Sequence, residues 1–232
     1  PLFPAPGLAS WPWLAASALL HTGYKLFLIR AYVHGDMSQV YPLARGTAPL
    51  IVAIVGAVAL GEPMTPLKAL AVAAIALGVV VMSLRGGAEL VRIPPRALAW
   101  ALGTAAFTAS YTLADAVGAR LSGSVSGFTL WMFVLDGLGM LAFALAARGP
   151  AALRGLASAW GAGLAAGAMS LLSYWIAIWA FTQAPVALVA ALRETSVLFA
   201  MLIAVLVLKE PAGIGRWTAA GLILLGVVLL RL

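Results

Sequence analysis

Leu77-Gly78-Val79-Val80 returns as Leu225-Gly226-Val227-Val228, and the reading of the fold starts from that recurrence. The offset is 148 residues, and it lays residues 31–84 on 179–232 without a gap. Arg45 falls on Arg193, Thr47 on Thr195, Leu50 on Leu198 and Glu62-Pro63 on Glu210-Pro211. Of the 54 aligned positions, 13 are identical. Apolar segments match one another by chance, but paired arginine, Glu-Pro and glycine at a single offset do not. The chain carries an internal repeat.

The composition says where such a repeat can live. Hydrophobic residues make up 64% of the chain and charged residues 9%, against roughly a quarter charged in a soluble domain. So few charges cannot dress a water-facing surface. The apolar residues fall in blocks of the length that crosses a bilayer, about 20 residues. Backbone in lipid must satisfy its own hydrogen bonds, which leaves helices or closed barrels. Apolar and polar positions do not alternate, so the blocks are helices. After a Pro-rich lead-in at 1–10, eight spans are expected near 11–31, 39–60, 66–84, 97–119, 126–147, 157–181, 187–208 and 214–231. Turn chemistry separates them, as at Gly61-Glu62-Pro63, Ser122-Gly123-Ser124 and Arg148-Gly149-Pro150.

Matched spans lie five apart, an odd number, so the two halves are expected upside down to each other in the membrane. Inverted repeats are a mark of secondary carriers, with the solute site at the midplane between halves. The later half holds five spans and the earlier half three. The expectation is therefore an intact carrier of ten helices, with the first two, about 50–60 residues at one span per 20 or so, upstream of residue 1. The expected division is a partial first repeat at 1–84, a linker at 85–96 and a second repeat at 97–232. The formal charge of +7 is loop charge that sets topology rather than a nucleic-acid footprint, since no basic-aromatic strip accompanies it. One face gathers Arg30, Arg85, Arg92, Arg96, Arg148, Arg154, Lys209 and Arg216, the other Lys68, Arg120 and Arg231. That count puts the first face in the cytoplasm and the C-terminus outside.

The repeated element resembles the second half of an EamA repeat of the drug/metabolite transporter superfamily. The family pattern is a helix with proline and small residues, a short loop with an acidic residue, then a helix ending in Gly-Val. It stands here as Tyr41-Pro42-Leu43-Ala44-Arg45-Gly46-Thr47-Ala48-Pro49, Leu60-Gly61-Glu62-Pro63 and Gly78-Val79. The second copy reads Leu208-Lys209-Glu210-Pro211 and Gly226-Val227, without prolines at Ala190 and Val197. The stretch from His21 to Pro49 further resembles a subset of permeases, some linked to phosphonate use. The resemblance implies ten helices in two inverted five-helix repeats around a central cavity, and a bacterial cytoplasmic (inner) membrane location. Family members export amino acids, drugs or metabolites or move nucleotide-sugar-like solutes, so it implies no particular substrate. It also implies cytoplasmic termini, against the charge count, and orientation stays open.

Charges at bilayer depth are costly, roughly 2.5–3.5 kcal/mol each on insertion scales, and face a cavity or a partner. Arg45, Arg193 and Glu194 lie inside matched spans, and Asp136 is central in the fifth span. His21 and Lys25 share a helix face, with Tyr24 beside them. On one reading Arg45 and Arg193 hold an anionic group in their planar forks. Tyr41, Tyr24 and Trp175 then join them as binding residues, with Asp136, Glu194, His21 or Lys25 as proton-coupling or ion-pair groups. On the other, an arginine pairs with Glu194 or Asp136 and locks helices together, Lys25 snorkels and His21 packs. Asp115 and Arg120 read as a local ion pair at a span end, and Glu62 and Glu210 as carboxylates beside helix N-termini.

A secondary transporter working by alternating access is the expected function, with a non-transporting membrane subunit as the alternative. That alternative predicts charges that pair off and leave no polar cavity. No Gly-x-x-x-x-Gly-Lys, His-Glu-x-x-His or Gly-x-Ser-x-Gly is present, and there is no cysteine. No enzymatic activity, metal or cofactor is therefore expected. The expected partners are a small-molecule solute and the lipid bilayer, not nucleic acid; a homodimer is compatible with this reading.

Overall fold

A computed structural model describes residues 3–35, 37–83, 93–153, 160–207, 209 and 213–230. Regular structure among the described residues is helical. A single 3-10 turn at Leu8–Ser10 leads into α1 (Trp11–His34), α2 (Met37–Ala59), α3 (Pro66–Ser83), α4 (Pro95–Leu121) and α5 (Val125–Arg148). There follow α6 (Trp160–Gln183), α7 (Val186–Arg193), α8 (Ser196–Leu206) and α9 (Ile214–Leu229). The expected all-α membrane class stands. Three stretches, Val125–Arg148, Trp160–Gln183 and Val186–Ile203, are long and apolar enough to cross a bilayer; Leu43–Ala59, Pro66–Met82 and Ile214–Leu229 are shorter apolar segments. Glu210-Pro211, and the expected linker except its last four residues, lie outside the described residues.

One expected span needs correction. Residues 187–208 do not form a single helix but break at Glu194-Thr195, between α7 and α8. The ladder tightens there. Glu194 N–H bonds to Ala191 O, Thr195 N–H to Leu192 O, Val197 N–H to Glu194 O and Leu198 N–H to Thr195 O, each three residues back. Thr195 Oγ1 also donates to Leu192 O at 2.6 Å. A hydroxyl bonding back to its own helix competes with the backbone ladder and bends it.

The chain folds as two compact units, Pro1–Thr22 with Ala114–Gln183 and Gly23–Leu113 with Ala184–Leu232. These units are not the sequence repeats, since each draws on both. In the first unit Ser124 caps α5, its Oγ accepting from Gly127 N–H at 3.1 Å. Arg120 Nε donates to the Phe181 carbonyl at 2.9 Å, and Phe128 and Phe181 are fully buried. Little of the apolar stretch of α5 is buried within the first unit.

In the second unit α3 packs on α2, α7 and, most extensively, α9. Val72, Ile75, Val79, Ala191 and Ile223 make the core there. The α3–α9 crossing shows the repeat at atomic scale. A Cβ on Gly78 would lie 2.9 Å from Ala219 O and 3.0 Å from Ile223 N, and one on Gly226 would lie 2.7 Å from Ala71 O and 3.1 Å from Ile75 N. Under the 148-residue offset, Ala71, Ile75 and Gly78 correspond to Ala219, Ile223 and Gly226. Each glycine thus seats the other copy's Ala-Ile backbone. As numbering rises along α3 it falls along α9, so the two helices run antiparallel. Glycine lets backbones approach this closely, as small residues do between helices in lipid.

The turn before each of these helices repeats as well. Gly61 has φ +64° and its counterpart Lys209 has φ +55°. Glycine accepts the left-handed region freely, whereas lysine meets a Cβ–carbonyl clash there. The second copy has kept the turn and lost the residue suited to it.

Candidate functional site

Arg45, Arg193 and Glu194 come together in the second unit. They line one cavity with Ala48, Pro49 and Val52 of α2, Thr108 and Thr112 of α4, and Ala190 of α7. Its free volume for water-sized spheres is about 10 Å³, room for about one water molecule. As it stands, the cavity is small, with three charged side chains and two threonines set among apolar ones.

The helical hydrogen-bond ladder is altered beside this pocket in both repeats. Pro49 has no N–H to give the Arg45 carbonyl one turn back in α2. In the second repeat the α7–α8 break places Arg193 in the last turn of α7 and Glu194 in the break itself. Arg45 Nε lies 3.2 Å from Glu194 Oε2, with the Glu194 side chain 6% exposed and Arg45 18%. The approach is a charge pair off the hydrogen-bond line, for those two buried atoms make no hydrogen bond. The guanidinium also stands over Tyr41, 5.8 Å from the ring centroid, within cation–π reach. Tyr24 packs edge-on against Tyr111 of α4 at 5.6 Å in the same unit. Lys25 is on α1 outside this lining. The pairing of Arg45 with Glu194 was one of the two sequence readings; both arginines beside one polar cavity belongs to the other.

The remaining candidates lie in the first unit. Trp175 packs edge-on against Phe3 at 5.3 Å and borders a shallow apolar groove with Val125, Ser126, Ile176 and Trp179. Asp136 is half-buried on α5. His21 Nε2 sits 3.1 Å from Asp115 Oδ2, and the Tyr174 hydroxyl donates to the same oxygen at 2.5 Å. The expected Asp115–Arg120 pair is not formed: Asp115 is fully buried with His21 and Tyr174, and Arg120 Nε donates to Phe181 O. Five residues apart on a helix, the two point to different sides. Sequence reading missed Asp115 and Tyr174 as partners of His21. A signal for Asp115 was present, since Thr104, Thr108, Thr112 and Asp115 recur every three or four residues on α4 and all are buried. That is one polar stripe turned inward in an apolar helix.

Glu62 has a firmer role than its sequence reading. Its Oε2 accepts the Val186 N–H at 2.8 Å, so it caps α7 of the later repeat.

Fold and site together define a helical, multi-pass integral membrane protein with an internal repeat and a small pocket lined by two arginines and a glutamate. The chain belongs to the EamA-like transporter family, which it matches over residues 2–84 and 95–232. Family members are transporters of the drug/metabolite type rather than enzymes. No curated protein matches the chain in sequence. Among solved structures, one protein crystal structure superposes with a TM-score of 0.71 at 19% identity, covering 95% of this chain and 76% of that one. At that identity the likeness bears on fold alone.

Proposed function

We propose that this transporter moves a small polar, anionic metabolite across a bacterial cytoplasmic membrane by alternating access, with the Arg45–Arg193–Glu194 pocket as its solute site. The observation that carries the reading is the misaligned Arg45–Glu194 pair in a pocket with a second arginine. In a low-dielectric site an ion pair is held when its hydrogen bonds are good. This pair lacks the bond between its closest atoms, so an anionic solute that fits the guanidinium fork competes with Glu194 for Arg45. Tyr41 supports the guanidinium from one side. The pocket has room for about one water molecule, so solute entry requires the helices around it to part.

The pairing itself also favours a second reading, a non-transporting membrane subunit in which Arg45 and Glu194 only fasten helices. Exchange of labelled solutes in proteoliposomes separates the two. For a carrier, Arg45→Lys keeps the charge pair and the fold but loses the planar fork, so exchange of carboxylates or phosphonates falls while the melting temperature holds. Wild-type protein that shows neither exchange nor a ligand-induced rise in melting temperature with amino acids, organic acids or phosphonates would sink the carrier reading.

A further inference from the structure

Asp115 is fully buried, and its two oxygens are treated differently. Oδ2 accepts the Tyr174 hydroxyl and faces His21 Nε2, whereas Oδ1 has no hydrogen-bond partner. The three side chains come from α4, α6 and α1 within the first unit. The His21 ring stands edge-on to Tyr174 at 5.8 Å, which fixes its attitude. Ser17, one turn before His21 on α1, is also fully buried with a partnerless hydroxyl. From α5, which packs on α6, Phe133 covers the Tyr174 ring, and Asp136 follows one turn later as the charged group on that side.

With a neutral imidazole this cluster holds one negative charge at a fully buried position, and its bare oxygen has no protein donor. Burying a carboxylate on such terms is costly. A single proton, on the imidazole or on Oδ1, makes the cluster neutral overall; on the imidazole it sets an imidazolium 3.1 Å from the Asp115 carboxylate. Nothing in the solute pocket needs this cluster, and a buried group so poised is what proton relays in transporters are made of.

We propose that His21, Asp115 and Tyr174 form the site of a coupling proton, which drives the solute movement set out above and so rests on that reading. The step is one of binding: a proton enters from water on one side, is shared between imidazole and carboxylate while Tyr174 holds Oδ2, and leaves to water on the other. No other bond is made or broken. The pairing it changes joins α1 and α4, the two helices that contribute to both units.

Proteoliposomes and labelled glutamate, succinate and methylphosphonate test the coupling. Under an imposed pH gradient the wild type accumulates the solute it exchanges. Asp115→Asn loses this accumulation and keeps solute exchange, whereas Arg45→Ala loses both. Asp115→Asn that accumulates like the wild type overturns the proposal. A solute-free measurement stands beside it: acid-minus-neutral infrared difference spectra of the protein in nanodiscs. The wild type shows a protonation signal that disappears in Asp115→Asn and changes in His21→Gln. Absence of any Asp115-dependent signal overturns the proton site even if solute is carried. A signal that persists in protein moving none of the three solutes supports the proton site while counting against the solute assignment.

Discussion

Arg45 and Glu194 stand on opposite repeats, and the offset that pairs Arg45 with Arg193 pairs Gly46 with Glu194. The acid is therefore present in one copy alone, and the charge pair breaks the repeat's symmetry. Arg45→Ala leaves Glu194 buried without its counter-ion, at a cost of about 3 kcal/mol. The double variant Arg45→Met, Glu194→Gln recovers most of that loss. Thermal melting in detergent checks both, and a double variant no more stable than Arg45→Ala contradicts the pairing. At Lys209 the expectation runs the other way. Lys209→Gly relieves a left-handed lysine and raises stability by about 1 kcal/mol, while Gly61→Ala, at the counterpart turn, lowers it by a similar amount. The candidate charges themselves were legible in the sequence, because a charge in a long apolar block stands out. Their partners were not. Tyr174 reaches Asp115 across 59 residues, and no local pattern states which helix faces which.

Elements were read well where one physical rule decides. Blocks of apolar residues bounded by Gly and Pro became α1 to α6 with ends shifted by a few residues. The α7–α8 break escaped because an apolar run predicts a continuous helix. Its signal was Arg193-Glu194-Thr195, three polar residues in succession inside a span. Two element-scale outcomes follow from the packing. Gly78→Ala and Gly226→Ala each set a methyl within about 3 Å of backbone in the other helix. Each should cost about 1–3 kcal/mol as overpacking. Their effects should not add, since once either methyl has forced α3 and α9 apart the second finds room. Equilibrium unfolding of both single variants and the double variant measures this. Glu62→Ala removes the cap from Val186 N–H and should cost about 1 kcal/mol, with Glu62→Gln losing less because an amide oxygen still accepts.

For the whole molecule the antiparallel crossing makes a topological statement. Gly61 precedes α3 and Gly213 precedes α9, so antiparallel helices put these two turns on opposite sides of the bilayer. The chain has no cysteine, which leaves single-cysteine labelling without background. Gly61→Cys and Gly213→Cys should react with a membrane-impermeant maleimide from opposite faces of intact cells or inverted vesicles. Labelling of both from one face contradicts inversion. Whichever face labels Gly61→Cys also decides between the loop-charge count and the family's habit of cytoplasmic termini.

The α3–α9 crossing has a further consequence. Each side of it consists of the same three residue types, Ala, Ile and Gly, facing their own counterparts in reverse order. A contact of that form is isologous, the kind two identical chains make across a two-fold axis. A half-length chain bearing Ala71, Ile75 and Gly78 already contains both surfaces. Inserted in both orientations, such a chain could dimerise through this face without any change, and fusing the two copies into one gene would turn an association that depends on concentration into one that does not.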